Sequence, residues 1–176
     1  MSVRRVTTVD EARAVLRELG APDRLVRHGA LVLEAAELLL ERVRVLGVSV
    51  DDGLVRAGVM LHDTGKILHP NELAGGGSNH EEAGRGLLLE RGIDPAVARC
   101  CVTHAQWASH ECSLEELLVA LADALWKGVR RDELERRVVD AMARRLMVDP
   151  WSIYVTLDTC FEEVADGGSE RLSRSV

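Results

Sequence analysis

The residues of this chain that could do chemistry are histidines and aspartates spread along several helical segments. An adjacent pair, His62-Asp63, closes an apolar run and is followed by Gly65 and Lys66. Further candidates lie in separate segments on both sides of that pair: His28, His80, His104 and Asp123. Ligands on different helices can converge in the core of a bundle. Because mixed imidazole and carboxylate ligands suit divalent ions, we predict that these six residues bind one or two ions of Mn, Fe, Co, Ni, Zn or Mg.

Asp63 is the candidate bridging ligand, because a carboxylate can give one oxygen to each of two ions. The first ion would be bound by one oxygen of Asp63 and by three further residues: His28, His62 and Asp123. His80 and His104 would bind a second ion on the other oxygen of Asp63. Two ions about 3.5–4 Å apart can hold a water as hydroxide and stabilise both the attacking and the leaving oxygen. This chemistry suits phosphate esters and anhydrides, and we predict Asp63 and Lys66 as the catalytic residues.

Each candidate ligand also has an ordinary structural interpretation. A single inward histidine such as His28 is often a core residue bonded to a backbone carbonyl. The pair His62-Asp63, taken alone, is equally typical of a polar helix end. Asp123 is flanked by Leu121, Ala122, Ala124 and Leu125, and a buried unpaired carboxylate is costly. Six such residues in a helical domain of this size therefore favour a metal site.

Three basic residues are predicted to bind substrate phosphate: Lys66, Lys127 and Arg130. Phosphoryl transfer depends mainly on positioning and charge stabilisation, so cations are expected beside the ligands. Lys66 follows the His-Asp pair within one short turn, where an ammonium could reach a phosphate oxygen. An ordinary solvated helix end is the alternative interpretation of Lys127 and Arg130.

Two residues form a second tier of candidates. His110 follows His104 by six residues and could add a ligand to the second ion, with a surface histidine as the alternative. Glu81 adjoins His80 at a helix start, where an acid favours the helix dipole; it could also position a water. The loop over residues 67–78 contains Gly75-Gly76-Gly77, and such a loop beside a site can act as a lid.

The elements that must position these residues are helices. Caps, glycines and apolar spacing predict them over about residues 9–19, 22–46, 51–63, 79–92, 94–104, 113–127, 131–147 and 149–164. Thr8 caps the first, and Ser113 with Glu116 forms a capping box for the sixth. His28 lies on the apolar stripe of the second helix, so it faces inward.

Composition agrees with a helical domain. Of 176 residues 47% are hydrophobic but only 3% aromatic, so the core must be built from Leu, Val and Ala, a mix that favours helices. We predict an all-α, single-domain bundle of about seven to eight helices. Residues 1–20 would form an N-terminal helix packing on the bundle, 21–130 the metal-binding core, 131–165 further helices of the same domain, and 166–176 a flexible tail.

The formal net charge is −7, which argues against binding to long nucleic acid or to an anionic membrane. The four cysteines form no C-x2-C zinc pattern, so free thiols in a reducing compartment are expected. The start of the chain lacks the apolar run of a signal peptide, and no stretch is long enough to span a membrane. A cytoplasmic protein is therefore expected.

The order of the candidate ligands resembles the HD-domain superfamily of metal-dependent phosphohydrolases. The matching motifs are Arg27-His28, LHDTGK with His62-Asp63, NHEEAG with His80, VTHAQW with His104, and LADALWKG with Asp123. The resemblance spans roughly residues 24–130. It implies a helical bundle with one or two divalent ions that hydrolyses a phosphomonoester, a phosphodiester or a nucleotide anhydride.

The same resemblance assigns individual roles. It implies a first metal site formed by His28, His62, Asp63 and Asp123. The positions of His80 and His104 are similar to those of the subgroup with two metals, which includes bacterial hydrolases of symmetrical dinucleoside tetraphosphates. Lys66 matches a lysine near substrate phosphate. The Gly-Tyr-Pro motif of the subgroup that cleaves cyclic dinucleotides is absent from this sequence.

We therefore expect a metal-dependent phosphohydrolase that uses metal-activated water on a phosphate ester or anhydride. The expected partner is a phosphorylated small molecule, with a nucleotide as first candidate, and the sequence leaves a homodimer open. Two alternatives remain. One is a di-iron oxygenase of the HD-like type, which the same six ligands would serve. The other is a non-catalytic sensor that binds a nucleotide in the bundle.

Overall fold

The computed structural model describes residues 3–176, and helices dominate that range. The helices are α1 (Val9–Glu18), α2 (Asp23–Val45), α3 (Asp52–Leu61), α4 (Asn79–Glu90), α5 (Pro95–Gln106), α6 (Leu114–Leu125), α7 (Asp132–Leu146), α8 (Trp151–Asp166) and the short α9 (Gly168–Ser173). Three 3-10 turns cover Thr64–Ile67, Pro70–Leu73 and Trp107–Ser109. A single bridge between Arg4 and Ile93 is the only β pairing in residues 3–176. The predicted all-α class is confirmed.

Local capping sets the starts of several helices as the sequence predicts. The Thr8 and Ser113 side chains each form a capping box with a glutamate three residues later. Asp51 caps α3 by accepting a hydrogen bond from the Leu54 amide. Each of these contacts satisfies amide groups that the first helical turn leaves without a partner. These caps fix the starts of α1, α3 and α6, and the last two of these helices position candidate ligands.

The buried apolar residues form two clusters. One joins α2, α6, α7 and α8 and includes the fully buried Leu39, Leu121 and Phe161. The other joins α1, α3, α4 and α5 and includes Leu16 and Leu88. Truncation of such a leucine to alanine typically costs about 2–5 kcal/mol of unfolding free energy. The helices that carry the candidate ligands are thus held by both clusters.

The C-terminal residues differ from the flexible tail predicted for 166–176. Residues Gly168–Ser173 form α9, and Arg171 is buried. Its guanidinium donates hydrogen bonds to the backbone carbonyls of Leu125, Trp126 and Val164. The contacts with Leu125 and Trp126 join residues 46 and 45 positions apart, which no local sequence pattern reveals.

The loop predicted over 67–78 contains the 3-10 turn Pro70–Leu73. All four cysteines are free; Cys100, Cys101 and Cys160 are buried, and Cys112 is half-buried. No helix within residues 3–176 has both the length and the apolar character that crossing a lipid bilayer requires.

Candidate metal centre

The six candidate ligands come from five helices and meet in the interior. Three of them occupy helix ends: His62 is the C-cap of α3, His80 lies in the first turn of α4, and His104 lies near the end of α5. Asp63 begins the 3-10 turn that follows α3. The remaining two, on α2 and α6, are His28 and Asp123. Residues far apart in the sequence therefore share one site.

Asp63 lies at the centre of this cluster. Its Oδ2 is 3.2 Å from Nε2 of His28 and 3.6 Å from Nε2 of His62. Its Oδ1 is 3.2 Å from Nε2 of His80 and 3.7 Å from Nε2 of His104. The two oxygens of one buried carboxylate thus face two different pairs of histidines.

Asp123 completes the group around the first pair of histidines. Its Oδ1 lies 3.6 Å from Nε2 of His28 and 3.4 Å from Nε2 of His62. Candidate ligand atoms fall into three overlapping sets whose members lie within 4.8 Å of one another. These sets are His28, His62 and Asp63; His62, His104 and Asp123; and Asp63, His80 and His104. The arrangement is compact enough for ions to be bound on both sides of Asp63.

The outer nitrogen of three histidine rings has a partner that orients the ring. Nδ1 of His62 donates to the Val59 carbonyl at 2.8 Å, and Nδ1 of His104 donates to the Cys100 carbonyl at 3.1 Å. Nδ1 of His80 lies 2.6 Å from a carboxylate oxygen of Glu72. Because these partners can only accept, each neutral ring carries its proton on Nδ1 and directs the lone pair of Nε2 inward.

This donor set fits a divalent cation. Nε2 of His80 is buried and has no hydrogen-bond partner among the described residues. A buried polar atom without a partner is costly, and a metal ion would satisfy its lone pair. Imidazole nitrogens with carboxylate oxygens form the ligand set of many transition-metal sites.

The charges of the cluster are also set by burial and by neighbours. Burial opposes ionisation of Asp63, yet His62, His28 and His80 hold its pKa well below the usual range. Burial and the nearby His62 lower the pKa of His104 to about 4. A carboxylate that is anionic and an imidazole that is neutral are the protonation states that metal binding requires.

The pKa of His28 shifts in the opposite direction, upward. Burial lowers its pKa, but hydrogen bonds with Asp123 and Asp63 outweigh burial and raise the pKa to about 9. Burial would raise the pKa of Asp123, whereas His28 and His62 hold it well below the usual range. The two aspartates therefore form an anionic pair that attracts a cation.

A cavity of about 520 Å³ opens beside the cluster. Lys66 and Lys127 both line it, as the sequence predicts for residues that bind phosphate. Nζ of Lys66 lies 2.6 Å from Oδ2 of Asp63. Lys127 is exposed at the edge of the cavity. Arg24 and Trp126 also line the cavity, and neither is predicted as a site residue from the sequence.

Arg130, which the sequence predicts to bind substrate, does not line this cavity. Its guanidinium donates two hydrogen bonds to Glu135, each of 2.8 Å, and one to Asp158 at 2.6 Å. Gly128 has a left-handed backbone, with φ of 80°, and turns the chain away from the axis of α6. Arg130 consequently faces α7 and α8 and lines a separate cavity there.

The second-tier candidates lie beside the cluster without joining it. Nδ1 of His110 donates to the Gln106 carbonyl at 3.0 Å, and His110 lines a different cavity together with Arg137. Glu81 is buried and accepts a hydrogen bond from the side chain of Gln106. The structure thus brings neither residue into the set of candidate ligand atoms.

Glu72 is the site residue that sequence reasoning missed. It lies in the predicted loop, is buried, and accepts hydrogen bonds from the Asn79 and His80 amides and from Nδ1 of His80. A lone glutamate in a glycine-rich loop gives no local signal of burial. The only sequence feature that could have indicated burial of Glu72 is Gly77. It has no side chain, and the Glu72 carboxylate occupies the space where a Cβ would lie.

Gly65 explains why a small residue follows the His-Asp pair. An added Cβ at Gly65 would collide with the His80 carbonyl and the Gly84 amide. A Cβ at Gly84 would lie 2.8 Å from the Gly65 amide nitrogen. The turn after α3 therefore packs backbone to backbone against α4, and this close approach places Asp63 beside His80.

Known proteins share sequence features with this chain. The chain is 29% identical over 150 residues to the tRNA (cytidine(56)-2'-O)-methyltransferase of Thermoplasma volcanium. The matched region covers 77% of this chain and 41% of the methyltransferase. It is 30% identical over 152 residues to an uncharacterized protein of Methanocaldococcus jannaschii. This matched region covers 78% of this chain and 85% of the relative. The chain thus spans less than half the length of the methyltransferase. No solved structure gave a significant match.

The HD domain family matches residues 25–126, which is more than half of the chain. The matched range includes all six candidate ligands and begins at the start of α2. It ends at Trp126, directly after α6. On the strength of this match and of the His and Asp cluster inside it, the chain belongs to the HD domain family.

Proposed function

We propose that this chain is a metal-dependent phosphohydrolase that cleaves a phosphate ester or anhydride of a nucleotide or a related small molecule. The observation that carries the proposal is the environment of Asp63, whose two oxygens face separate histidine pairs at 3.2–3.7 Å. A carboxylate in this environment suits the bridging position of a two-metal site. HD domain family membership supports the same proposal.

In this proposal the six residues divide between two sites that share Asp63. The first would be formed by Asp63 and three further ligands: His28, His62 and Asp123. The second would be formed by Asp63, His80 and His104. Divalent ions bound there would lower the pKa of a bound water and offset the charge of a phosphoryl group. Ring orientation by Val59, Cys100 and Glu72 keeps the ligands ready for this role.

The chain's own cations would orient the phosphate. Lys66 is held in the cavity wall by Asp63, within reach of a phosphate oxygen placed beside the ligands. Lys127 extends from the end of α6 into the same cavity. Fixed positive charges aimed at a transferring phosphoryl group stabilise its transition state. This local positive charge offsets the overall charge of −7 where an anion would enter.

The methyltransferase activity named for the Thermoplasma relative is not part of this proposal, because the chain spans only 41% of that protein. The cluster of histidines and aspartates is the feature that the proposal explains. None of the six candidate ligands requires a methyltransferase cofactor to explain its position.

The test is phosphate release by the purified chain with Mn²⁺ or Co²⁺ across a panel of nucleotides and phosphorylated metabolites. His62→Ala and Asp63→Ala should retain below about 1% of the wild-type rate, because each removes a ligand from the centre. His110→Ala is the matched control and should retain full activity, since its ring lies outside the cluster.

Full activity in His62→Ala or Asp63→Ala would overturn the proposal. Iron-loaded protein that consumes oxygen and releases no phosphate from any compound would overturn it in favour of the oxygenase alternative. Binding of a nucleotide without turnover in Mn²⁺, Co²⁺ and Fe²⁺ alike would overturn it in favour of a sensor.

A further inference from the structure

We propose that the cavity mouth contains a second anion subsite, formed by Arg24 and Lys127, and that the substrate therefore carries a second anionic group. This group would be a phosphate distinct from the one that lies at the histidines and aspartates. The inference rests on the proposed function and deepens it by defining the class of substrate. A bisphosphorylated small molecule fits such a pair of subsites better than a simple monophosphate.

The placement of the two cations follows from the helices that carry them. Arg24 precedes His28 by four residues on α2, and Lys127 follows Asp123 by four residues at the end of α6. Nε2 of His28 and Oδ1 of Asp123 lie 3.6 Å apart. Each cation is thus about one helical turn from a ligand, and the two ligands touch each other.

The helices run in opposite directions, so both cations extend from the ligands toward the same end of the bundle. The amide of Asp51, in the segment that connects α2 to α3, donates to Glu115 in the first turn of α6 at 3.1 Å. The start of α2, in contrast, meets the end of α6 through His28 and Asp123. Four residues of helix correspond to about 6 Å, so each cation is about 6 Å along its chain segment from a candidate ligand.

The charge at the mouth is available for a ligand. Arg24 and Lys127 are exposed, and within residues 3–176 neither has an ion-pair partner. Lys66, in contrast, is hydrogen-bonded to Asp63. Fixed cations that are not neutralised by the protein remain free to bind an anion, with charge-assisted hydrogen bonds as the main contribution.

The lysine content of the chain points to the same cavity. Only two of the 22 basic residues are lysines, Lys66 and Lys127, and both line this one cavity. Lysine and arginine are not interchangeable, because the ammonium is a compact charge on a flexible stem. A chain that otherwise uses arginine therefore has its two ammonium groups at the two proposed phosphate positions.

Apolar side chains line the same cavity. Trp126 lies between Asp123 and Lys127 in the sequence, is 7% exposed, and lines the cavity. Its ring meets that of His28 edge-on, with the centroids 5.0 Å apart. Leu25 lines the cavity beside Arg24. This surface suits the uncharged part of a small molecule that links two phosphates.

The test compares two probes that differ by one phosphate, adenosine 5′-monophosphate and adenosine 3′,5′-bisphosphate, with inorganic phosphate as the minimal probe. Binding to the full chain is measured by calorimetry at a fixed free concentration of Mn²⁺. The bisphosphate should bind the wild type about tenfold more tightly than the monophosphate. Arg24→Gln and Lys127→Gln should each remove most of that preference. Arg24→Gln, which leaves both lysines in place, should keep the affinity for inorganic phosphate within about twofold of the wild type.

Arg17→Gln is the matched control, because Arg17 is exposed on α1 and does not line the cavity. It should leave all three affinities unchanged. Circular dichroism should show that each variant keeps the helical content of the wild type.

The outcomes separate the subsite from the proposed function. Equal wild-type affinity for the two nucleotides, or an unchanged preference in both cavity variants, would overturn the subsite while phosphate binding still supports the hydrolase. Absence of binding by all three probes would contradict the subsite and the proposed function together.

Discussion

Oε2 of Glu72 lies 2.6 Å from Nδ1 of His80, in a buried contact between a loop and the first turn of α4. Glu72 also accepts hydrogen bonds from the Asn79 side chain and amide. Burial would raise its pKa, but the hydrogen bonds from His80 and Asn79 lower the pKa to about 2. The carboxylate is therefore ionised at neutral pH and holds the His80 ring with Nε2 toward Asp63.

Glu72→Gln should weaken the second metal site specifically. The amide keeps the size of the side chain but removes the charge that fixes the ring, and loss of such a partner typically costs about 10–100-fold in metal affinity. Competition with a chelator measures this affinity. Glu82→Gln, an exposed position on the same helix, serves as the control. Wild-type affinity for both ions in Glu72→Gln would show that the contact does not organise the site.

Gly65→Ala should destabilise the fold, because its Cβ would collide with backbone atoms of His80 and Gly84. Backbone cannot yield as a flexible side chain can, so a loss of about 1–3 kcal/mol in unfolding free energy is expected. Gly86→Ala on α4 is the matched control, since nothing lies within 4 Å of its added Cβ. That substitution should be neutral or stabilise by up to about 1 kcal/mol.

Urea unfolding of the metal-free chain measures both glycine variants. Equal stability of Gly65→Ala and Gly86→Ala would contradict the close approach of the turn and α4. A large loss in Gly65→Ala together with a loss of metal binding would agree with it.

Glu115, which is not one of the six candidate metal ligands, should make the stability of the fold depend on pH. Burial raises its pKa, but two hydrogen bonds of 2.9 Å from Arg145 and one from the Asp51 amide lower the pKa below 4.5 overall. A carboxyl whose folded pKa is depressed adds stability above its unfolded pKa and loses it as the pH falls through the folded value. Its contribution is therefore complete at neutral pH and declines below about pH 4.5.

Glu115→Gln should lower the unfolding free energy at pH 7 and flatten its decline between about pH 5 and pH 3. Denaturant unfolding at a series of pH values measures both effects. Glu111→Gln, an exposed position nearby, should leave the curve unchanged. An equally steep decline in Glu115→Gln and the wild type would remove this ion pair from the account of acid sensitivity.

The sequence predicted best what depends on neighbouring residues. The capping boxes at Thr8 and Ser113 need only residues three positions apart, so the helix starts were recognisable. The ligand set was recognisable from residues such as Asp123. This aspartate lies in an apolar helical run, and a buried carboxylate needs a partner in the core because leaving it unpaired is costly. The residue types and their order in the sequence predicted that ligands from five helices converge. The distances between the ligand atoms could not be predicted in this way.

The parts that were missed depend on contacts between distant residues. Burial of Glu72 requires the loop to fold over α4. The turn at Gly128 directs Arg130 toward Glu135 and Asp158 instead of the cavity. Arg171 shows the same limit, since its carbonyl partners on Leu125 and Trp126 are remote in the sequence. A hydrophilic, glycine-containing segment resembles a flexible tail until its tertiary partners are known.

The central claim is that Asp63 joins two metal sites, and metal content tests it most directly. Elemental analysis should be made on tag-free wild-type protein and on His80→Ala and His110→Ala, all purified without chelator. About two divalent ions per chain are expected in the wild type and in His110→Ala, and about one in His80→Ala. One ion in all three proteins, or none in any, would contradict it.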